Sequence, residues 1–536
     1  MRKTAIGQHQ YLAWIILLLL LPALFINLGM SPLIADEAIR GLVSFEMQQT
    51  GNLITPTISG EYYFNKPPLY NWILLGFFNL FDRHSELILR LPALFSLLIF
   101  GWIIYYTTRK ELGNRIAFLS SLLFISCGRI LFYDSMRGLI DLSFSMVIFL
   151  NFYLMYFFIS RKKYLSLYLL SYFLASAAFL MKGLPALIFQ ILTLLTALAY
   201  FKSLKKLFHP FHMAGMLVFI FLVGGYYLLL WKNTEEPEFF RNLVTESTKR
   251  TLLDNGFWTT IKHLLIFPFS QVYHLLPWSI LFIFLIKKSF YDKLRANKYA
   301  GYLALVFVVN ILAYWTSAGT HPRYLFMLYP IIFILLIYYY TELKTQDSVY
   351  RAFWIAMFVF IGLALSTGTA YFFTNSIAGS GKAIVIYSIT MIFLLTAYYL
   401  LWKHRNIRME VLIIMLLLLR ISFNLLILPD RLVKTAQHKI IEAVENIHEI
   451  TQNNELMLHH ETRVSVEFIY YISTARNEIL RKEYGNLKEG RYYIIEANNP
   501  LQEGEVKVME FESRIQKRKL RLSKICLDNE APQVEK

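Results

Sequence analysis

Charged residues make up only 17% of this 536-residue chain, against roughly a quarter in soluble globular proteins. That shortage excludes a string of soluble domains. Cysteine is almost missing: Cys127 lies in an apolar run and Cys526 lies near the C-terminus. Two such residues have no metal-ligand spacing and no reason to meet, so neither a zinc site nor a disulfide framework is expected. No Gly-rich phosphate loop is present, which leaves no motif for a soluble nucleotide. No small-x-small cleavage site follows the first apolar run, Tyr11 to Leu28, although Arg2 and Lys3 precede it. That run reads as an uncleaved membrane helix, not as a removable leader. Internal repeats and low-complexity tracts are also missing, which weighs against transporter folds built from inverted repeats.

What is abundant is apolar: 56% of residues are hydrophobic and 16% aromatic. Runs near 20 apolar residues recur, and each is long enough to cross a bilayer as a helix. About 13 transmembrane helices are expected, near 11–29, 86–106, 115–133, 139–159, 164–181, 184–201, 212–231, 264–286, 299–316, 323–340, 351–373, 383–402 and 409–428. Leu69 to Phe81 is too short to span comfortably and reads as an interfacial or re-entrant helix.

The formal charge of +17 does not point to nucleic acid, because the cations gather in short loops between apolar runs. Alternate loops hold Arg109, Lys110 and Arg115; Arg161, Lys162 and Lys163; Lys202, Lys205 and Lys206; Lys287, Lys288, Lys293, Arg295 and Lys298; Lys344 and Arg351; and Lys403, Arg405 and Arg408. The opposite loops hold only Arg137, Lys182, Arg323 and Lys382. The positive-inside rule then places the N-terminus in the cytoplasm and, after an odd number of spans, the C-terminal segment outside. Composition changes at Pro429-Asp430. The expected organisation is a transmembrane domain over 1–429, with its first outer loop at about 30–85, and a small soluble α/β domain over 430–536. In the tail, Val433 to Ile450 reads as helix, and Val464–Ile472 and Arg491–Ile495 read as strands.

The outer side carries the dense polar segment Asp36 to Pro68. A carboxylate at Asp36-Glu37 suits a general base facing a membrane-embedded cavity. The plainer alternative is a surface ion pair between Asp36 and Arg40 at i and i+4. Ile39, Leu42, Val43 and Met47 form an apolar stripe at helical spacing, which suggests a helix lying on the bilayer surface. Further on, Tyr62-Tyr63-Phe64 precedes Asn65-Lys66-Pro67-Pro68. Lys66 is either an interfacial anchor or a point-charge ligand for a lipid phosphate.

Taken in order, these residues carry a resemblance. Asp36-Glu37-x-x-Arg40, then Gly60-x-x-Tyr63-x-x-Lys66-Pro67-Pro68, then Arg90-Leu91-Pro92 resemble the first periplasmic loop of bacterial GT-C integral-membrane glycosyltransferases. The family in question is the protein mannosyltransferase and lipid A aminoarabinose transferase superfamily. Lys182-Gly183 resembles its Lys-Gly-Pro motif, with the proline displaced to Pro185; Pro277-Trp278 and Arg323-Tyr324 with Pro330 resemble later motifs. The resemblance covers roughly residues 10–430.

It implies an inner-membrane enzyme that moves a sugar from a polyprenyl-phosphate carrier to a lipid, glycan or protein acceptor on the periplasmic face. It implies Asp36 as catalytic carboxylate supported by Glu37 and Arg40. It also implies Lys66, Arg40, Tyr63, Lys182, Arg323 and Tyr324 around the donor phosphate. The family places an Asp at the outer turn after the third span, and here both Asp134 and Asp141 fit. In the aminoarabinose branch a Glu associated with a metal precedes the motif Lys. Asn65 stands there instead, and Asn is a poor transition-metal ligand, which counts against the divalent metal that the resemblance would allow at this site; no other cofactor is implied. His263 and His274 read as structural rather than as ligands. In the 232–262 loop, Glu246, Lys249 and Arg250 read mostly as a solvated face, with Arg250 a weak phosphate candidate. Two rival readings remain. One is a lipid or glycan transporter or flippase, for which Arg420 in the last span is the clearest buried charge. The other is an assembly factor acting through its C-terminal domain.

Overall fold

The computed structural model describes residues 2–234, 241–242, 245, 257–374, 376–433, 437–452, 454–512 and 518–526. It divides into two compact units: Met1–Leu28, Phe64–Tyr70 and Arg90–Leu428 form one, and Gly29–Tyr63, Asn71–Leu89 and Pro429–Lys536 form the other. The last break between units falls between Leu428 and Pro429, and the second unit takes in most of the first loop as well.

In the first unit the apolar runs are helices, because a helix satisfies its own backbone polar groups where no water is available. Among the described residues eight helices are long and apolar enough to cross a membrane, or nine if the bent pair Asn114–Ile125 and Gly128–Met136 is one span. That is fewer than the 13 expected from run length. The difference lies in how runs are divided. The 115–133 run bends by 44° after Ile125. The 264–286 run is an α-helix, Phe257–His274, followed by a 3₁₀ stretch, Trp278–Ile286. The 184–201 and 323–340 runs give the shorter helices Pro185–Tyr200 and Tyr329–Tyr340. Large apolar side chains such as Leu18, Phe221 and Ile392 remain exposed on helix surfaces, as lipid-facing residues do. The protein is a multi-pass membrane protein.

Buried polar side chains tie these helices together. Asn151 donates to Gln190 at 2.7 Å and Thr193 donates to Asn310 at 3.2 Å. Arg420 does not reach out of its helix to an interface. It is fully buried and donates from Nε to the Ala23 carbonyl at 3.1 Å.

The second unit is mixed. Its five-stranded sheet runs in the order Lys482–Glu483, Leu456–His459, Tyr492–Glu496, Lys519–Ile525, Glu505–Glu512. The first three strands are parallel and the last two pairings are antiparallel. The helix Gln437–Ile450 falls within the predicted helix, and the strand Tyr492–Glu496 overlaps the predicted strand and runs one residue past it. The predicted strand at Val464–Ile472 is wrong: residues Val466–Arg476 are a helix. Its β-branched and aromatic composition suggests a strand, but local signals override it. Ser465 caps the N-terminus by accepting the Phe468 N–H at 3.3 Å, and Asn477 ends the helix in the left-handed region, with φ 52°.

Leu69–Phe81 forms a 13-residue helix, in keeping with a segment too short to span. Ala35–Thr50 is also a helix. Its stripe does not lie on lipid. Leu42, Val43 and Met47 are buried within the second unit, where Val43 and Met47 cluster with Leu75 and pack against Ile58, Tyr63 and Trp72. An apolar stripe fixes that a face is covered; it does not say by what.

Candidate functional site

The residues singled out from sequence fall into two groups, one in each unit. In the second unit Asp36 stands exposed in the first turn of the Ala35–Thr50 helix. A carboxylate there is favoured by the helix dipole. Glu37 beside it is fully buried and turns back to accept the Ile34 N–H at 3.1 Å. Glu37 therefore closes the helix start, the part an acidic residue plays at the third helical position.

Arg40 is not a surface residue. It is buried and donates to the Asn71 side-chain oxygen at 3.1 Å and to the Tyr63 hydroxyl at 2.7 Å. Asn71 in turn donates to the Arg40 carbonyl at 3.0 Å. Arg40 and Tyr63, both expected at a phosphate, thus hold each other. Sequence reasoning misses Asn71, an amide in the first turn of a mostly apolar helix.

It also misses Glu46. The fully buried Glu46 carboxylate accepts the Ser59 N–H at 2.6 Å, the Gly60 N–H at 3.2 Å and the Thr57 hydroxyl at 2.7 Å. These donors belong to the hairpin Thr57–Ile58 with Glu61–Tyr62, whose two turn residues, Ser59 and Gly60, have φ of 55° and 78°. Positive φ at both positions suits the tight hairpin turn that matches strand twist. Burial pushes the Glu46 carboxyl above the usual range, against the opposing pull of the Thr57, Gly60 and Ser59 hydrogen bonds and the Arg481 charge. The signal in sequence is a carboxylate on the face shared by Leu42 and Val43.

In the first unit, three charges converge that lie far apart in sequence. Asp141 starts the helix Asp141–Ser160, Lys182 ends the helix Tyr164–Lys182, and Arg323 sits in the short 3₁₀ turn Pro322–Leu325. Lys182 Nζ donates to Asp141 Oδ1, and Arg323 Nε lies 3.3 Å from Asp141 Oδ2. Asp141 and Lys182 are buried, with 5% and 6% of their side-chain surface exposed; Arg323 keeps 15%. The Tyr324 ring flanks the cluster, with its centroid 3.9 Å from Lys182 Nζ and 5.6 Å from the Arg323 guanidinium carbon. Asp134 forms a separate buried pair, accepting from Arg129 Nε at 2.6 Å. Lys66 is half-buried in the first unit, on the loop before Leu69–Phe81. Arg250, Glu246 and Lys249 lie outside the described residues.

His263 Nε2 lies 3.4 Å from the Tyr314 carbonyl, and the His274 carbonyl accepts from Cys127 Sγ at 3.3 Å. Among the described residues no three His, Cys, Asp or Glu side chains gather where a metal ion could be held.

Residues 65–227 match the family model described as dolichyl-phosphate-mannose-protein mannosyltransferase. An uncharacterised protein of Aquifex aeolicus (strain VF5) is 28% identical over 290 residues, which is 52% of this chain and 55% of that protein. The match therefore spans just over half of that relative's length. The fold is similar to that of ArnT from Cupriavidus metallidurans. The crystal structure of ArnT bound to undecaprenyl phosphate aligns with a TM-score of 0.70 at 16% identity, covering 98% of this chain and 99% of that one. The apo structure aligns with a TM-score of 0.66 at 15% identity, covering 99% and 100%. At these identities the likeness is one of fold.

Proposed function

We propose that this chain, a PMT- and ArnT-like member of the GT-C glycosyltransferases, moves a sugar from a polyprenyl-phosphate carrier to a lipid, glycan or protein acceptor at the outer face of the inner membrane. The observation that carries this reading is the Lys182–Asp141–Arg323 cluster under Tyr324. Ionisable groups buried in a membrane domain are costly and mark functional sites. A phosphate carried on a lipid needs such fixed cations at membrane depth. Two of the few cations on the side opposite the basic loops are the ones that meet here.

The chemistry is a single displacement with inversion. The acceptor hydroxyl or amine attacks the anomeric carbon as the bond from that carbon to the phosphate oxygen breaks. Asp36, exposed in the first turn of its helix, takes the proton that the acceptor loses. Polyprenyl phosphate departs with the electron pair, its growing charge met by Lys182, Arg323 and Lys66. Tyr324 walls the cluster, and Arg40 with Tyr63 ties the Asp36 helix to the end of the hairpin. The reading uses no metal.

Purified protein in lipid nanodiscs, given polyprenyl-phosphate sugars and candidate acceptors, is the direct test, with product detected by mass spectrometry. Comparison of envelope lipids and glycans from cells with and without the protein would name the acceptor. Asp36→Asn is expected to remain folded in the membrane and to lose transfer. Wild-type turnover by that variant removes the base assignment. Lys66→Ala is expected to raise the donor KM; an unchanged donor KM removes its phosphate role.

A further inference from the structure

The family resemblance leaves Asp141, with Asp134, as a candidate for the acidic residue at the outer turn. We propose that Asp141 is a positioning residue, whose carboxylate holds Lys182 and Arg323 side by side as one seat for the carrier phosphate. This inference rests on the polyprenyl-phosphate reading above.

The carboxylate faces both cations: Oδ1 accepts from Lys182 Nζ, and Oδ2 lies within ion-pair distance of Arg323 Nε, at 3.3 Å. Two cations against one carboxylate favour its charged form, which suits an anchor better than a proton acceptor. The arrangement has a second consequence. Lys182 and Arg323 repel each other, and where water is scarce that repulsion is weakly screened. Without an anion between them, they would turn apart whenever the seat is empty. Asp141 removes that tendency and holds the two cations together before a phosphate arrives. Preorganised charge of this kind needs little rearrangement during reaction. The Tyr324 ring against Lys182 and the Phe144 ring, 5.1 Å from the same Nζ, restrict the ammonium further. Position in the fold supports the assignment. Asp141 opens one helix, Lys182 closes the next, and Arg323 comes from a third segment. The carboxylate is thus the one point at which all three meet.

The test is binding of a polyprenyl phosphate, with the matching polyprenol as control, to the full chain in nanodiscs. Wild type is expected to prefer the phosphate. Asp141→Asn is expected to lose about tenfold or more of that preference, to bind polyprenol as before, and to keep the pH profile of any residual transfer. Asp141→Glu is expected to recover part of the loss. If Asp141→Asn is poorly folded, Arg323→Gln answers the same question: it leaves a neutral Lys182–Asp141 pair and should erase most of the preference. Undiminished preference in Asp141→Asn or Arg323→Gln overturns the inference, as does loss of turnover with the acidic limb of the pH profile removed in Asp141→Asn. A wild type that does not distinguish phosphate from polyprenol overturns the functional reading itself.

Discussion

The Tyr471 hydroxyl accepts the backbone N–H of Leu33 at 2.9 Å, joining positions 438 residues apart. The same hydroxyl lies 2.9 Å from the Glu86 carboxylate, to which it donates. The helix of the C-terminal segment therefore clips the chain three residues before Asp36. Tyr471→Phe removes the hydroxyl with little change in volume. The expected cost is about 1 kcal/mol, that of one intramolecular hydrogen bond, together with a fall in kcat larger than any change in donor KM. Thermal unfolding and steady-state kinetics on the same preparation check both. An unchanged kcat would show that the Asp36 helix does not need this clip.

Glu46 makes a prediction about pH. Its carboxyl is pushed upward by burial, so the folded protein holds that proton more tightly than the unfolded chain does. A group raised in this way contributes stability below its unfolded value near 4.5, and that contribution is lost as pH rises through the folded value. Glu46→Gln cannot titrate. Wild type is therefore expected to lose ground against Glu46→Gln as pH rises from the unfolded value through the raised one. Melting temperatures of the two proteins across that range give the sign directly. A difference that stays flat, or runs the other way, removes the account.

Much of this architecture is legible in the residues themselves. Apolar run length marks the helices, the short Leu69–Phe81 segment marks itself by length, and helical spacing puts Asp36 and Arg40 one turn apart. What fails does so for physical reasons. Val466–Arg476 has strand-like composition, and a single capping serine decides against it. The stripe of Leu42, Val43 and Met47 reads as lipid-facing because periodicity reports a covered face without naming the cover. The meeting of Lys182, Asp141 and Arg323 has no sequence period at all, since it depends on how three segments pack. The nearest signal is the scarcity of cations in the loops opposite the basic ones. The division into units also bears on truncation. Removing residues 430–536 would strip cover from the Ala35–Thr50 helix, because the two belong to one unit. Loss of activity on truncation would then say nothing of what the C-terminal segment does.

Glu61 on the hairpin pairs with Lys482 at 2.5 Å and also accepts from the Tyr484 hydroxyl. Both charged side chains are partly exposed, so the pair is screened by solvent and is worth at most about 1 kcal/mol. Its use is to fix the hairpin against the sheet. Glu61→Lys and Lys482→Glu are each expected to lower the melting temperature by a few degrees or less, and the double swap is expected to restore it in part. The effect should shrink as salt is raised. Two single changes that simply add in the double variant would show that the pair is not coupled.

Gly41 offers the sharpest test of how the Asp36 helix is held. It lies mid-helix, where alanine is normally favoured over glycine by about 1 kcal/mol. At this position, however, an added Cβ would sit 2.6 Å from Leu89 Cδ1 and 2.6 Å from Tyr470 Cε2. The Leu89 methyl can swing aside, but the Tyr470 ring is 1% exposed and walled in. Overpacking of this kind costs about 1–3 kcal/mol, more than the propensity gain. Gly41→Ala is therefore expected to be less stable than wild type despite its better helix propensity. The Asp36 helix and Val466–Arg476 would also have to part slightly. Transfer should fall with stability, and proteolysis should find the 51–63 segment sooner. Restoration by Tyr470→Leu in the Gly41→Ala background would tie the loss to this contact. A Gly41→Ala protein as stable as wild type would mean that the two helices are not pressed together as closely as 2.6 Å implies.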